Sequence, residues 1–242
     1  MIRVVDLKKR YGTFEAVKGV SFEVSKGDFF GFLGPNGAGK TTVMKIMSCL
    51  STPTEGSVQI FGMDVNTHPS DIKAKIGMVA QDNNLDPDFT VLENLLVYAG
   101  YYGIKRKDSL PKAMELLSFV DLADRKNDKI QSLSGGMLRR LQIARSLINS
   151  PEILIMDEPT TGLDPHSRRN LWEKLSVLRE QTGMTMLLTT HYMEEAQSLC
   201  SRVAIMDLGK IVTVDSPAHL IELHGGTLED VYLKLTGRPL DA

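Results

Sequence analysis

The chain has 242 residues, 42% hydrophobic and 24% charged, with a formal net charge of -2; these proportions fit one globular domain and exclude a disordered, collagenous or low-complexity chain. With no excess of Lys and Arg, no nucleic-acid partner is expected, and the two cysteines, Cys49 and Cys200, are too few for a disulfide framework and point to a reducing compartment. No apolar run approaches the roughly 18 residues of a membrane span, and the opening MIRVVDLKKR lacks an apolar signal core, so a membrane role is expected to come through a partner.

The first 33 residues read as strands. Ile2, Val4 and Asp6–Leu7 begin an alternating run, and Val20, Phe22 and Val24 mark a half-buried antiparallel strand. Asp28–Leu33 is nearly all apolar, as in a strand buried on both faces. A Gly-rich turn leads to a helix bearing Val43, Ile46, Met47 and Leu50, and Gly56–Phe61 and Ile76–Ala80 are further strands. From about Asp82 to Ser150 the pattern becomes helical. Thr90 and Glu93 form a capping box before LLVYAGYY. Pro111 begins a second helical run, and Leu138, Leu141, Ala144 and Ile148 form a stripe after Ser134. This stretch reads as a helical lobe inserted in an α/β core. Beyond Pro151, Ile153–Met156, Met184–Thr189, Val203–Met206 and Ile211–Val214 are strands, and Met193–Cys200 is a helix. Asp164 is the N-cap and Pro165 the first residue of a helix with Leu171, Leu175 and Leu178 on one face. Strands alternating with helices imply a mostly parallel sheet with helices on both faces.

Gly34-Pro35-Asn36-Gly37-Ala38-Gly39-Lys40-Thr41 fits G-x-x-x-x-G-K-[ST] between a buried strand and a helix. Phosphates are dense negative charges. Glycines let backbone N–H groups turn inward unobstructed by Cβ, and the helix start adds its amides and positive dipole end. Lys40 supplies a mobile charge for the β and γ phosphates, and the Thr41 hydroxyl is a ligand for Mg²⁺. The bland alternative is a Gly-rich surface turn, which the strand–loop–helix context disfavours.

Ile153–Met156 feeds two acids, Asp157 and Glu158. Ligands of open parallel sheets bind beyond the carboxyl ends of the strands, so Asp157 faces the crevice of the phosphate loop and is expected to hold Mg²⁺, directly or through water. Glu158, pointing differently, is the candidate general base for an attacking water. Read alone, the pair is an ordinary solvated acidic turn.

Leu133-Ser134-Gly135-Gly136-Met137 lies about 20 residues before the acidic strand. With the phosphate loop, it resembles the nucleotide-binding subunits of ATP-binding cassette (ABC) transporters, in the right order over essentially the whole chain. The resemblance implies an α/β fold. Its P-loop NTPase (RecA-like) core has a mostly parallel sheet, an N-terminal antiparallel β-subdomain and an inserted helical subdomain. Residues 1–242 form one ABC ATPase domain: 1–81 the β-subdomain and phosphate-loop part of the core, 82–150 the helical subdomain, 151–242 the remaining core and a short C-terminal segment.

It also implies ATP and Mg²⁺ as ligands, with Thr42 joining the nucleotide-binding loop. Tyr11 stacks on adenine; Gln81 joins core to helical lobe and meets Mg²⁺ or the water; His191 contacts the γ-phosphate and holds the water. Ser134, Gly135 and Gly136 bind ATP held by a second subunit, and Gly162-Leu163-Asp164 crosses to that subunit. One departure is Met137, where the family most often has Gln. The segments LSGGMLRRLQIARSL, THYMEEAQSLCSRVAIMDLGKIV and TLEDVYLKLTGR resemble the drug-exporter and nodulation-factor-exporter (ABC-2 type) branch. That branch implies a homodimer or heterodimer of ATPase subunits. It also implies an integral membrane permease that holds the ATPase at the cytoplasmic face of the membrane. Two alternatives stay open: an ATPase acting on DNA or ribosomes, and one driving a cell-envelope partner without moving a solute.

Overall fold

The computed structural model describes residues 1–239. Its chain starts as a hairpin, β1 (Ile2–Tyr11) and β2 (Phe14–Val24), closed where Tyr11 faces Phe14. β3 (Phe29–Leu33) is buried along its whole length and runs into the phosphate loop and α1 (Lys40–Met47). β4 (Glu55–Ile60), β5 (Met63–Asp64), α2 (Pro69–Ala74) and β6 (Ile76–Val79) complete the first third.

Three helices follow: α3 (Val91–Tyr101), α4 (Arg106–Phe119) and α5 (Gly135–Ser146). Thr90 and Glu93 close the expected capping box, each side chain taking the other's backbone N–H at 3.2 and 2.8 Å. Pro111 does not start its helix, as the sequence reading has it. The helix starts five residues earlier at Arg106, and Pro111 lies inside it. Proline is favoured at a helix start; further in it removes one backbone bond and its ring crowds the carbonyl four residues back, a cost of about 3 kcal/mol, and the buried Ala113, Leu116 and Leu117 hold the helix against that cost. The stretch contains no strand, only an isolated bridge between Thr90 and Lys129.

Then come β7 (Ile153–Asp157), α6 (Pro165–Thr182), β8 (Thr185–Thr190), α7 (Met193–Leu199), β9 (Arg202–Asp207) and β10 (Lys210–Asp215). α8 (Pro217–His224) and α9 (Leu228–Thr236), which the sequence reading leaves unassigned, end the described chain.

Two sheets result. One is antiparallel, in the order β2-β1-β4-β5; the other runs β10-β9-β3-β8-β7-β6, parallel except for β10. Because side chains alternate across a strand, Phe30, Phe32, Ile153, Ile155 and Leu187 pack toward α1 and the antiparallel sheet. Phe29, Leu33, Leu154, Met156, Met186 and Leu188 pack toward the helices on the other face. Each such side chain contributes about 1.5–3 kcal/mol by leaving water. Phe22 rests on Phe30 and Phe32 with ring centres 5.7 and 5.1 Å away, which pins the antiparallel sheet to the parallel one. Strands β3, β8, β7 and β6 are neighbours and end at one edge, so the segments that leave them gather there.

Candidate active site

The phosphate loop leaves β3 in a path that only glycine can follow. A Cβ on Gly34 would stand 2.3 Å from the Met206 carbonyl oxygen, and Gly39 has φ 101°, the left-handed region that favours glycine. That turn aims the start of α1 at the crevice. Lys40, buried at the first position of α1, donates to the carbonyls of Gly34 and Pro35 at 2.6 and 2.9 Å, and its ammonium is 4.0 Å from Glu158 Oε1. Burial lowers its pKa; the charges of Glu158 and then Asp157 pull it back up.

The two carboxylates diverge. Asp157 Oδ1 accepts the Thr41 hydroxyl at 3.0 Å and the buried Thr189 hydroxyl at 2.5 Å. Glu158 has φ 46°, a strained left-handed conformation for a residue with a Cβ, costing about 1–3 kcal/mol. Its backbone N–H is held by Thr189 Oγ1 at 2.9 Å. The turn sends its side chain to the other side of the crevice. There it accepts from Thr161 Oγ1 at 3.0 Å and from Gln81 Nε2 at 3.4 Å. His191, just beyond β8, brings Nδ1 to 3.6 Å from Glu158 Oε1, and this buried nitrogen has no hydrogen-bond partner.

A cleft of about 380 Å³ opens beside these groups, lined by Tyr11, Phe14, Ala16, the loop from Asn36 to Thr42, Gln81 and Glu158; Gly34, Pro35, Asp157 and His191 adjoin these residues but lie outside the lining itself. Tyr11 ends β1 half-exposed at the rim, with the Lys9 ammonium 5.1 Å from its ring centre. Such a cleft can hold a polyphosphate on amides, an ammonium and a hydroxyl, with a flat aromatic for a ring at its mouth.

Ser134, Gly135 and Gly136 are absent from the cleft lining. They begin α5, where Ser134 caps the helix by accepting the Met137 N–H at 3.3 Å. Gly135 is exposed and a Cβ there would meet nothing, whereas Gly136 adjoins Ser167. Met137 is partly buried, its side chain packed against the core, and its N–H is the one taken by the Ser134 cap. Asp164 caps α6 by accepting the N–H groups of His166 and Ser167, both at 3.0 Å, and Ser167 Oγ at 2.6 Å. These bonds, the Ser167 hydroxyl foremost, hold its carboxyl below the usual range.

Sequence reasoning missed several neighbours. Phe14 is 64% exposed on the cleft rim opposite Tyr11, and its signal was only an aromatic across a short Gly turn. Thr189 and Thr161 hold the carboxylates. Arg139 is buried in α5, and burial brings its guanidinium down to about 10 against the opposing pull of Asp157, Glu195 and Glu158. Arg139, Gln142 and Arg145 form a polar stripe along α5 whose partners the sequence does not show.

A family described as "ABC transporter" matches residues 17–161. Nod factor export ATP-binding protein I of Ralstonia nicotianae is 44% identical over 221 residues, 91% of this chain and 68% of that protein. The solved structure of an ATP binding subunit of an ABC transporter superposes with a TM-score of 0.87 at 26% identity, covering 98% of this chain and 99% of that one. A dimeric post-hydrolysis ATP-binding cassette bound to ADP and Pi does so with a TM-score of 0.80 at 31% identity, covering 89% and 98%. Likeness of this extent, in sequence and in fold alike, places the chain in the ABC transporter family, as a subunit that binds and hydrolyses ATP.

Proposed function

We propose that this subunit powers export through a separate integral membrane permease, working as a dimer of ATPase subunits at the cytoplasmic face of the membrane. The observation that carries the reading is the extended likeness to a relative named for export. No helix of the described residues is long and apolar enough to cross a membrane.

Within the site, the loop from Gly34 to Thr42 holds the phosphates, Lys40 neutralises the β and γ groups, and Tyr11 stacks on the base. The donor set fits Mg²⁺: a hydroxyl, Thr41, and one carboxylate, Asp157, meet at 3.0 Å, and this ion takes few protein oxygens beside substrate phosphates. Thr41, Asp157 and Gln81 would hold it, and when bound it neutralises charge on the phosphoryl group. Glu158 accepts the proton of the attacking water, and His191 orients the γ-phosphate and that water. Ser134, Gly135 and Gly136 close on ATP held by the other copy; their place outside the loop's own cleft and the exposure of Gly135 support this. Closure moves the helical lobe, and hydrolysis releases it.

His191→Ala is expected to lower turnover by about 10²-fold through misplacement of the reacting groups, while ATP and ADP affinities stay near wild type. Measuring both affinities checks this. An equal loss of both would assign His191 a structural role instead.

The permease seat is the groove between Asn84, Asp86, Phe89, Val97, Tyr98 and Tyr101. Of the aromatics of this segment, Tyr101 is 80% exposed, while Tyr98 and Tyr102 stack edge to face and are half-buried. The groove lies at the end of the segment that leaves Gln81, so a partner seated there touches the chain that reaches the site. Tyr101→Glu places a charge at an aromatic anchor and is expected to cost about 2 kcal/mol of docking, roughly thirtyfold. The variant should bind ATP normally yet fail to copurify with a membrane protein and to drive ATP-dependent solute movement in vesicles. Wild-type copurification would put the seat elsewhere.

A further inference from the structure

Every N–H of the Arg139 guanidinium is spoken for, and none goes to a carboxylate. Nε donates to the Pro159 carbonyl at 2.7 Å. Nη2 donates to the carbonyls of Asp157 and Glu158, both at 2.8 Å. Nη1 donates to the Ala80 carbonyl at 2.5 Å and to Gln142 Oε1 at 2.9 Å. A guanidinium has five donors in a fixed fork; here four of them grip backbone, three at consecutive residues beginning at Asp157 and one at the residue before Gln81. The stripe continues along α5. Gln142 donates to the Asp82 carbonyl at 3.0 Å and Arg145 to the Asn84 carbonyl at 2.7 Å. Alternate carbonyls of the segment that carries Gln81 are thus bound by successive turns of the helix that starts at Ser134.

The gripped turn is the strained one. Glu158 sits at φ 46°, and that conformation is what separates its side chain from that of Asp157. Thr189 holds its N–H from one side and Arg139 its carbonyl from the other. A residue in a sparsely populated conformation persists only where its surroundings over-determine it, and these two groups do so. Side-chain placement at the reacting centre therefore depends on a cation that does not touch it.

We propose that Arg139 is a positioning residue for ATP hydrolysis, clamping the Asp157–Pro159 turn to α5 so that the Glu158 carboxylate keeps its place beside Gln81 and His191. The proposal rests on the reading of Glu158 as the base. Arg139 acts through Glu158, so its effect is conditional on that carboxylate. A merely structural arginine would weaken any version of the site alike.

The experiment is a double-mutant cycle on the purified full chain, measuring single-turnover hydrolysis and ATP affinity. Arg139→Met is expected to lower turnover by about 10²-fold with ATP affinity little changed. Arg139→Gln, which keeps two N–H donors, should recover part of that loss. In a Glu158→Gln background, neither Arg139 substitution should lower the residual rate much further. Equal fold-losses in both backgrounds, or a loss of ATP affinity as large as that of turnover, overturn the proposal. If Arg139→Met does not fold, the cycle is run with Arg139→Gln, whose smaller loss must still vanish when Glu158 is replaced. Glu158→Gln measured alone separates the two readings: full activity there removes the base assignment itself, whereas a large loss with multiplicative Arg139 effects removes only the clamp.

Discussion

Glu158→Gln is expected to leave ATP binding intact while turnover falls by about 10²–10⁴-fold, the range that general-base catalysis supplies. The substitution keeps shape, and the amide oxygen still accepts from Thr161 at the 3.0 Å contact the carboxylate makes. The backbone bonds from Thr189 and Arg139 do not depend on the side chain and persist. What is lost is the proton acceptor. ATP affinity should rise slightly, because the negative charge 4.0 Å from Lys40 disappears and repels the phosphates no longer. With binding intact and hydrolysis slow, ATP should shift the variant toward dimer on a sizing column, and ADP should not. Turnover at the wild-type rate would take Glu158 out of the chemistry.

The parts of this site that were legible in the sequence are those whose physics is local. The Gly34–Thr41 motif needs consecutive residues between one strand and one helix, and the structure has that strand, turn and helix where its spacing predicts them. Asp157 and Glu158 were legible because an apolar run must end somewhere, and beyond the carboxyl end of a parallel strand lies the crevice. The Asp164 and Thr90 caps read correctly for the same reason: cap and recipient are at most three residues apart. Arg139 was not legible, because its partners lie 18, 19, 20 and 59 residues away. In the sequence it is one of several basic residues in LRRLQIAR. Thr189 hid in an apolar strand, and only strand order sets it beside Asp157. Pro111 misled because proline is commoner at a helix start than inside one, and packing overrode that preference. The split between the phosphate loop and Ser134–Gly136 was visible only as distance along the chain. The structure puts the latter at an exposed helix start.

That split sets up the second large effect. Lys40→Ala removes the ammonium from the loop and should nearly abolish ATP binding. Gly135→Asp should leave the fold intact: the glycine is exposed, a Cβ there meets nothing, and an acid suits the first turn of a helix. Its new carboxylate would instead repel a γ-phosphate presented to that helix start. As homodimers, both variants should be inactive, since each spoils both sites. Mixed, they should regain activity. If Lys40 of one copy and Gly135 of the other serve the same ATP, one site of the heterodimer carries both lesions. The other site pairs the native lysine with the native glycine. One sound site of two caps the heterodimer at about half the wild-type rate when sites turn over independently. If the two residues served one ATP within one chain, every site in the mixture would carry a lesion and no activity would return. Copurification through two different tags shows that heterodimers have formed. With heterodimers present, recovery requires a head-to-tail pair; where a single sound site suffices for turnover, its absence points to a site complete within one subunit.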